Sequence, residues 1–399
     1  MLETIQSLSD EVFDDVVQLR RRIHKNPELA FEEHDTAALV RNTLEPLNLD
    51  LRTGIAETGL IATLEGGRPG PTLMLRADMD ALPIREETAL EFASENDGAM
   101  HACGHDAHTS SLLGTAMILS RIRDDLHGTV RFLFQPSEEK LPGGASVMID
   151  EGALHGNGQP APDTIFGQHV QPELESGHIG VCGGMYMASA DEVYVTVRGE
   201  GGHAAGPHQL EADATLAAAH VLTALQSVIS RNCPPDVPSV LSFGKLTADG
   251  ATNVIPETAR LEGTFRALDE DWRFRAHDLI ERVATRTAQA YGAEADVNVT
   301  VGYPALYNHP DPTERVREAA LEYVGKERVV DLDPWFGGED FAFYLQELPG
   351  SFYRIGTRNE AAGITHGLHT PQFTIDEEAL RTAPGFMAYL TWRCGANGT

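Results

Sequence analysis

The segment Met100-His101-Ala102-Cys103-Gly104-His105-Asp106-Ala107-His108 crowds three imidazoles, one thiol and one carboxylate into nine residues. Folding alone does not call for that density of ligand-type groups. A thiolate is a soft donor for divalent ions and a neutral imidazole a borderline one, and Cys103-Gly104-His105 offers one of each on a single tight turn. Taken alone, such a cluster fits a metal site and a polar surface loop alike.

Three further places set ligand-type side chains in or just after apolar or glycine-bounded segments: Glu138-Glu139, His169 and His369. Cys103, His105, Glu139, His169 and His369 then make five donors. That number suits two divalent ions sharing a bridge better than one tetrahedral zinc. Such a pair of ions polarises a carbonyl and acidifies a water between them, which hydrolysis of an unactivated amide requires. Of the two adjacent glutamates, one would bind metal and Glu138 would take the proton of the attacking water. Other readings exist for each group. Cys103 could be a small buried hydrophobe, or a nucleophile paired with His105, although the latter leaves Glu138, Glu139 and His369 without a task. The glutamate pair could be an exposed acidic patch, and single histidines are more often surface or core residues. His101, His108, His127, His155, His178 and His220 are read in that ordinary way.

The elements that must position these groups are visible in the apolar pattern. Val12, Val16, Leu19 and Ile23 predict a helix over 11–25, and 32–44 reads as a second helix stopped by Pro46. Leu60–Leu64 and Thr72–Leu75 read as two strands joined by a turn through the glycine- and proline-rich 66–71. Asp78 and Asp80 follow the second strand, and 129–134 is a near-continuous apolar strand leading into Glu138-Glu139. With a helix over 110–123 between them, the pattern is strand, helix, strand with acids at the carboxyl ends. That argues an α/β fold, a mostly parallel sheet flanked by helices. The character changes near Gly183-Gly184. Strands at 192–198, 239–246, 259–266 and 297–301, with helices over 212–230 and 272–291, form an inserted α+β domain of ferredoxin-like type. The expected division is 1–183 and 298–399 for a discontinuous catalytic di-metal domain and 184–297 for the insertion. Helices over 312–324 and 377–392 complete the first.

Composition narrows the partners. Sixty acidic against thirty basic residues in 399 give a formal charge of −30, which repels phosphate backbones and anionic membranes, so neither nucleic acid nor a membrane is an expected partner. Lysine occurs only at Lys25, Lys140, Lys245 and Lys326, and such an acidic, lysine-poor surface is what a high-salt cytoplasm or a GC-rich genome favours. No run of about 18 apolar residues occurs, and the acidic N-terminus lacks a signal-peptide pattern. The scattered cysteines form no disulfide framework, so a cytoplasmic address with reduced thiols is the expectation.

The order of motifs resembles the M20 metallopeptidases, and within them the amidohydrolase subfamily of hippurate hydrolases, auxin-conjugate hydrolases and N-acyl-amino-acid amidohydrolases. The resemblance runs over nearly the whole chain: 21–29 (Arg-Arg-Ile-His-Lys-Asn-Pro-Glu-Leu), Arg76-Ala77-Asp78-Met79-Asp80, the Cys103 cluster, Gln135-Pro136-Ser137-Glu138-Glu139 and Gly167-Gln168-His169. It continues through Gly201-Gly202-His203, Asn253-Val254-Ile255-Pro256, Gly338-Glu339-Asp340-Phe341 and Leu368-His369-Thr370-Pro371. It implies a catalytic domain with an inserted lid and dimerisation domain, and hydrolysis of N-acyl amino acids with two divalent ions (Mn, Zn, Co or Ni). By that resemblance Cys103, His105, Glu139, His169 and His369 hold the metals and Glu138 is the general base. Asp80 orients a ligand, and His203 donates to the oxyanion, often from the second subunit of a homodimer. Asn253 and Arg266 hold the substrate carboxylate. The alternatives are a dipeptidase or aminoacyl peptidase on the same site, and a non-catalytic metal-dependent binding protein. Two departures stand out: Asp213-Ala214 replaces an Asp-Pro pair, leaving open where the next helix starts, and 139–144 lacks the expected glycine-rich turn.

Overall fold

Ile5, Val12, Val16 and Ile23 lie on one buried face, and that face carries helix α1 (Leu2–Lys25) back to Leu2, well before the expected start at Glu11. The computed structural model describes residues 1–155 and 160–397. After α2 (His34–Leu44) come β1 (Asp50–Ile55), β2 (Gly59–Glu65) and β3 (Arg68–Asp78), then α3 (His105–Arg121), β4 (His127–Gln135) and α4 (Gly144–Asp150). The strands expected at 60–64 and 72–75 are present, but they do not pair with each other. Strand β4 inserts between them, antiparallel to β2 and parallel to β3. The glycines of 66–71 serve that insertion. A Cβ on Gly66 would lie 2.7 Å from the Gly128 carbonyl oxygen, and one on Gly70 would lie 2.7 Å from the Gly128 nitrogen, so these positions let the start of β4 approach. A parallel pair needs a long crossover, which 79–126 with α3 supplies.

Strands β5 (Thr164–Glu175) and β6 (Ile179–Val181) follow, and then β7 (Gly184–Met187), β8 (Ala190–Arg198) and β9 (Gly202–His203). Next are α5 (Ala214–Ser227), β10 (Ser239–Thr247), β11 (Val254–Ile255), β12 (Thr258–Ala267), α6 (Glu270–Ala290), β13 (Glu294–Tyr303) and β14 (Leu306–Asn308). The chain closes with α7 (Pro310–Tyr323), β15 (Val329–Asp331), α8 (Phe341–Glu347), β16 (Gly350–Arg358) and α9 (Ala379–Asn397). It forms two compact units.

The first unit comprises Met1–Gly184, Tyr307–Asp333 and Asp340–Thr399. Its eight-stranded sheet has the order β1-β2-β4-β3-β5-β16-β6-β15. The central pairs β4–β3, β3–β5 and β5–β16 are parallel, whereas β1–β2, β2–β4 and β6–β16 are antiparallel. Val16 of α1, Leu112 and Ala116 of α3, and Phe386 and Leu390 of α9 share one core with Leu75 and Phe132 of the sheet. Registers align the site: Asp78 pairs with Gln135 and Arg76 with Gly167, so the carboxyl ends of β4 and β3 and the middle of β5 reach one level. Open α/β sheets hold ligands beyond such ends.

The second unit comprises Met185–Leu306 and Pro334–Glu339. The order β8-α5-β10-β12-α6-β13 is a βαββαβ run, and its antiparallel sheet is ordered β10-β12-β8-β13. Val193, Val195 and Val197 point into the core beside Ala217, Val221, Ala276 and Ile280 of the two helices. Asp213 caps α5 by accepting from the N–H groups of Thr215 and Leu216, so the helix starts without the expected proline.

Buried Asp191 accepts from Arg273 Nε at 2.9 Å, from the Gly302 N–H at 3.0 Å, and lies 2.7 Å from His277 Nε2. Burial pushes its carboxyl up, but the bonds from Arg273 and His277 outweigh this and hold it at about 2. The folded value lies below the ordinary 3.8, so this group contributes stability above about pH 4 that is lost as pH falls toward 2. Asp191→Ala is expected to cost about 3 kcal/mol at neutral pH by leaving Arg273 short of its buried partner. Urea unfolding of both proteins from pH 7 to pH 2 checks this; the gap should narrow as the acid limb is reached. No helix of the described residues is long and apolar enough to cross a membrane.

Candidate metal centre

The Cys103 cluster is not the plain loop its composition suggests. Cys103 precedes α3, Gly104 caps it, and His105 to His108 form its first turn. Gly104 has φ +86, and a Cβ there would lie 2.5 Å from Val170 Cγ2 of β5, so this position excludes a side chain twice over. The close approach brings β5 against the loop. Cys103 Sγ consequently lies 3.4 Å from His169 Nε2, and both residues are buried.

Each imidazole is oriented by what its other nitrogen touches. His169 Nδ1 donates to the Val170 carbonyl at 2.7 Å, which leaves Nε2 toward Cys103. His105 Nδ1 faces the Asp80 carbonyl at 2.9 Å and Asp80 Oδ1 at 3.1 Å. Its Nε2 is buried without a hydrogen-bond partner, 4.0 Å from Glu138 Oε2 and 3.9 Å from Glu139 Oε1. Asp80 Oδ2 accepts from the Glu139 N–H at 3.0 Å, so one carboxylate fixes both His105 and Glu139. His369 is half-exposed and its Nε2 lies 3.2 Å from Glu139 Oε1, an atom that is likewise buried without a hydrogen bond. The His369 backbone has φ +59 and its N–H donates to the Ala102 carbonyl, pinning the loop next to Cys103.

Ligand atoms of Cys103, His105 and His169 lie within 4.8 Å of one another, and so do those of Cys103, Glu139 and His369, and of His105, Glu138 and Glu139. The structure therefore brings all five expected donors, with Glu138, into one overlapping cluster. The orphaned Nε2 of His105 and Oε1 of Glu139, together with the thiol and imidazole donors, fit divalent ions.

The cluster carries excess buried negative charge. Burial opposes a charged His105, yet Asp78, Asp80 and Glu139 outweigh it and raise the imidazole to about 10. Burial and the charges of Glu139, Glu138 and Asp78 push the Cys103 thiol well up. Burial and then Arg354 push His169 well down.

Residues without an assigned task in the sequence hold this floor in place. His108 Nε2 accepts from the Val170 N–H at 2.9 Å, so Nδ1 carries its proton and donates to Asp78 at 2.6 Å. Both nitrogens are engaged, and its reading as an ordinary core histidine stands. His101 is also buried, with neither ring nitrogen hydrogen-bonded, and burial lowers it to about 4. Arg76 joins Asp78, Gln135 and Asp340, and Gln135 Nε2 also donates to Asp340. The Asp340 Oδ2 accepts the Ala145 N–H at the start of α4. This buried network ties together β3, β4 and α4. Its signal was present in the acid pair Asp78 and Asp80, only one of which was given a task.

The remaining expected residues lie in the second unit. β9 and β11 pair His203 with Val254, and the Ala204 N–H donates to the Asn253 carbonyl, so His203 and Asn253 share one ribbon. His203 Nδ1 accepts from the Ala205 N–H at 3.1 Å, which leaves the proton on Nε2 of an exposed ring. Arg266 is elsewhere. The ribbon ends just before Pro256 and Glu257, which lead into the first residue of β12, whereas Arg266 is next to the last residue of that strand, about 27 Å along it at about 3.4 Å per residue.

An α/β sheet with buried thiol, imidazole and carboxylate groups gathered at its strand ends defines a metallohydrolase. The chain belongs to Peptidase family M20/M25/M40, which it matches over residues 74–392. It is 40% identical over 385 residues to an N-acetylcysteine deacetylase of Bacillus subtilis, covering 96% of this chain and 98% of that protein. It is 36% identical over 384 residues to thermostable carboxypeptidase 2 of Saccharolobus solfataricus, covering 96% and 95%. Among solved structures, a dinuclear metal-binding peptidase of the M20 family from Bacillus subtilis aligns with a TM-score of 0.83 and 36% sequence identity, covering 97% of this chain and 99% of that chain.

Proposed function

We propose that the protein is a metal-dependent amidohydrolase that cleaves N-acyl amino acids to a carboxylate and a free amino acid. The carrying observation is the cluster of Cys103, His105, Glu139, His169 and the half-exposed His369, with Glu138 beside it. The names of the relatives converge chemically: an N-acetyl amino acid and a peptide cut at its carboxyl end share one feature, an amide whose nitrogen belongs to an amino acid with a free carboxylate. The carboxypeptidase name also keeps the peptidase reading as the second candidate.

Cys103, His105, Glu139, His169 and His369 would hold two divalent ions. Those ions, when bound, supply Lewis acidity for the amide carbonyl and the attacking water. Among Mn, Zn, Co and Ni, availability decides, because the mixed thiolate, imidazole and carboxylate set suits each of them. Asp80 holds His105 and Glu139 in place. Glu138 takes the proton of the attacking water and returns it to the leaving amine. His203 donates its Nε2 proton to the developing oxyanion. Asn253 and Arg266 take the substrate carboxylate, for which a guanidinium is the suited partner. The separation of His203 and Asn253 from Arg266 along β12 supports a homodimer in which the two groups serve different sites. Four free cysteines support a reducing, cytoplasmic address.

Release of free amino acid from N-acetyl, N-benzoyl and indole-acetyl amino acids and from dipeptides, with Mn or Zn added, tests the reading. Turnover of the acyl amino acids is expected. Cleavage of dipeptides alone would favour the peptidase, and no turnover with metal bound would leave a metal-dependent binding protein.

A further inference from the structure

Arg266 is a half-buried guanidinium in a chain with twice as many acids as bases, yet among the described residues it forms no ion pair. Among the described residues its only hydrogen bond runs from Nε to Thr264 Oγ1, at 3.0 Å. Burial lowers its pKa, and the one charge that opposes this, Asp191, is already committed to Arg273. Among the described residues its two terminal nitrogens make no hydrogen bond or ion pair.

The backbone that holds them is a pair of glycines, each required by a different side chain. The Trp335 indole covers Gly337 so closely that a Cβ there would lie 2.1 Å from Cζ3. A Cβ on Gly338 would lie 2.8 Å from Ala190 Cβ and 3.1 Å from Arg266 Nη1. The guanidinium therefore lies against bare backbone. Arg266 is next to the last residue of β12, and Ala190 opens the neighbouring strand β8. A methyl group at position 338 would press on both: the contact with Ala190 must be relieved by the backbone, and the one with Nη1 by a shift of the flexible guanidinium.

We propose that Gly338 is a positioning residue for substrate recognition: the absence of a side chain there sets Arg266 where its terminal nitrogens grip the carboxylate of the leaving amino acid. This rests on the carboxylate role given to Arg266 above. Gly338 does not touch the reacting atoms; it acts through Arg266 and should be felt in binding of carboxylate substrates.

The test compares N-acetyl-L-methionine with its carboxamide, N-acetyl-L-methioninamide, in the metal-loaded enzyme. Gly338→Ala is expected to raise KM for the acid about tenfold or more with kcat within about twofold, and to leave the carboxamide unchanged, as loss of a hydrogen-bonded charge pair would. Arg266→Gln should do the same, and the double variant should be no worse than Arg266→Gln alone. Adding Ala190→Gly to Gly338→Ala removes the 2.8 Å clash with the strand but keeps the 3.1 Å contact with Arg266. The KM defect should survive that addition even where stability is restored. Full recovery of KM, effects that add in the double variant, or an equal fall in kcat on both substrates would each overturn the proposal. A wild type indifferent to acid or carboxamide would overturn the role of Arg266 itself, and the proposal with it. An acid preference lost in Arg266→Gln but kept in Gly338→Ala would overturn the proposal alone.

Discussion

Glu138→Gln should lower kcat by about 10²–10⁴-fold while leaving metal content and thermal stability close to those of the wild type. The position is built for a proton carrier. Ser137, just before it, is held at φ +50, with its N–H bonded to Glu33 Oε1 at 2.9 Å and its carbonyl accepting from the Gly144 N–H at 2.7 Å. That turn sends adjacent glutamates into one cluster, where Glu138 Oε2 lies 4.0 Å from His105 Nε2. Glutamine keeps the size and shape of the side chain but cannot accept a proton from water. Single-turnover kinetics with metal analysis on the same sample separate the roles. Loss of metal in step with loss of activity would make Glu138 a ligand and not the base.

Asp80→Asn is expected to weaken metal affinity by about 10–100-fold, the usual cost of removing a partner that orients a ligand. The two Asp80 oxygens serve two neighbours, His105 Nδ1 at 3.1 Å and the Glu139 N–H at 3.0 Å. An amide offers one acceptor oxygen where two are needed, and its NH₂ group would face a donor. Metal competition against a chromogenic chelator measures the change, and activity should return in large part at saturating metal. Unchanged affinity would show that His105 and Glu139 hold their places without Asp80.

The chemistry was legible in the sequence because a thiol, three imidazoles and a carboxylate crowd into 100–108 and the other donors have peculiar neighbours. Cys103, Glu139 and His369 stand out against apolar or glycine-rich surroundings, and the structure gathers them. Element types were also legible, since period-2 and period-3.6 patterns reflect burial directly. Pairing was not. The segments at 60–64 and 72–75 look like a hairpin because the turn residues between them are real, but whether adjacent strands pair depends on a strand about sixty residues downstream. The start of α1 was missed although Leu2, Ile5 and Leu8 carry the spacing of three and four into Val12, because polar residues and the acids of 10–11 break up the stretch between them. Arg76, Gln135 and Asp340 stand in the motifs at 76–80, 135–139 and 338–341, but their pairing was hidden for a different reason. Buried polar groups satisfy one another across 264 residues of sequence, and nothing local marks which of them meet. The glycine at 338 belongs with these, since its role depends on a guanidinium from another strand.

The most direct test of metal-dependent amide hydrolysis is a titration of Mn or Zn into chelator-stripped protein, following release of amino acid from an N-acetyl amino acid. The account predicts no turnover in the stripped protein and recovery that levels off at two equivalents per chain, one for each of the ligand sets that share Cys103. Activity that is indifferent to metal, or complete recovery at one equivalent, would contradict it.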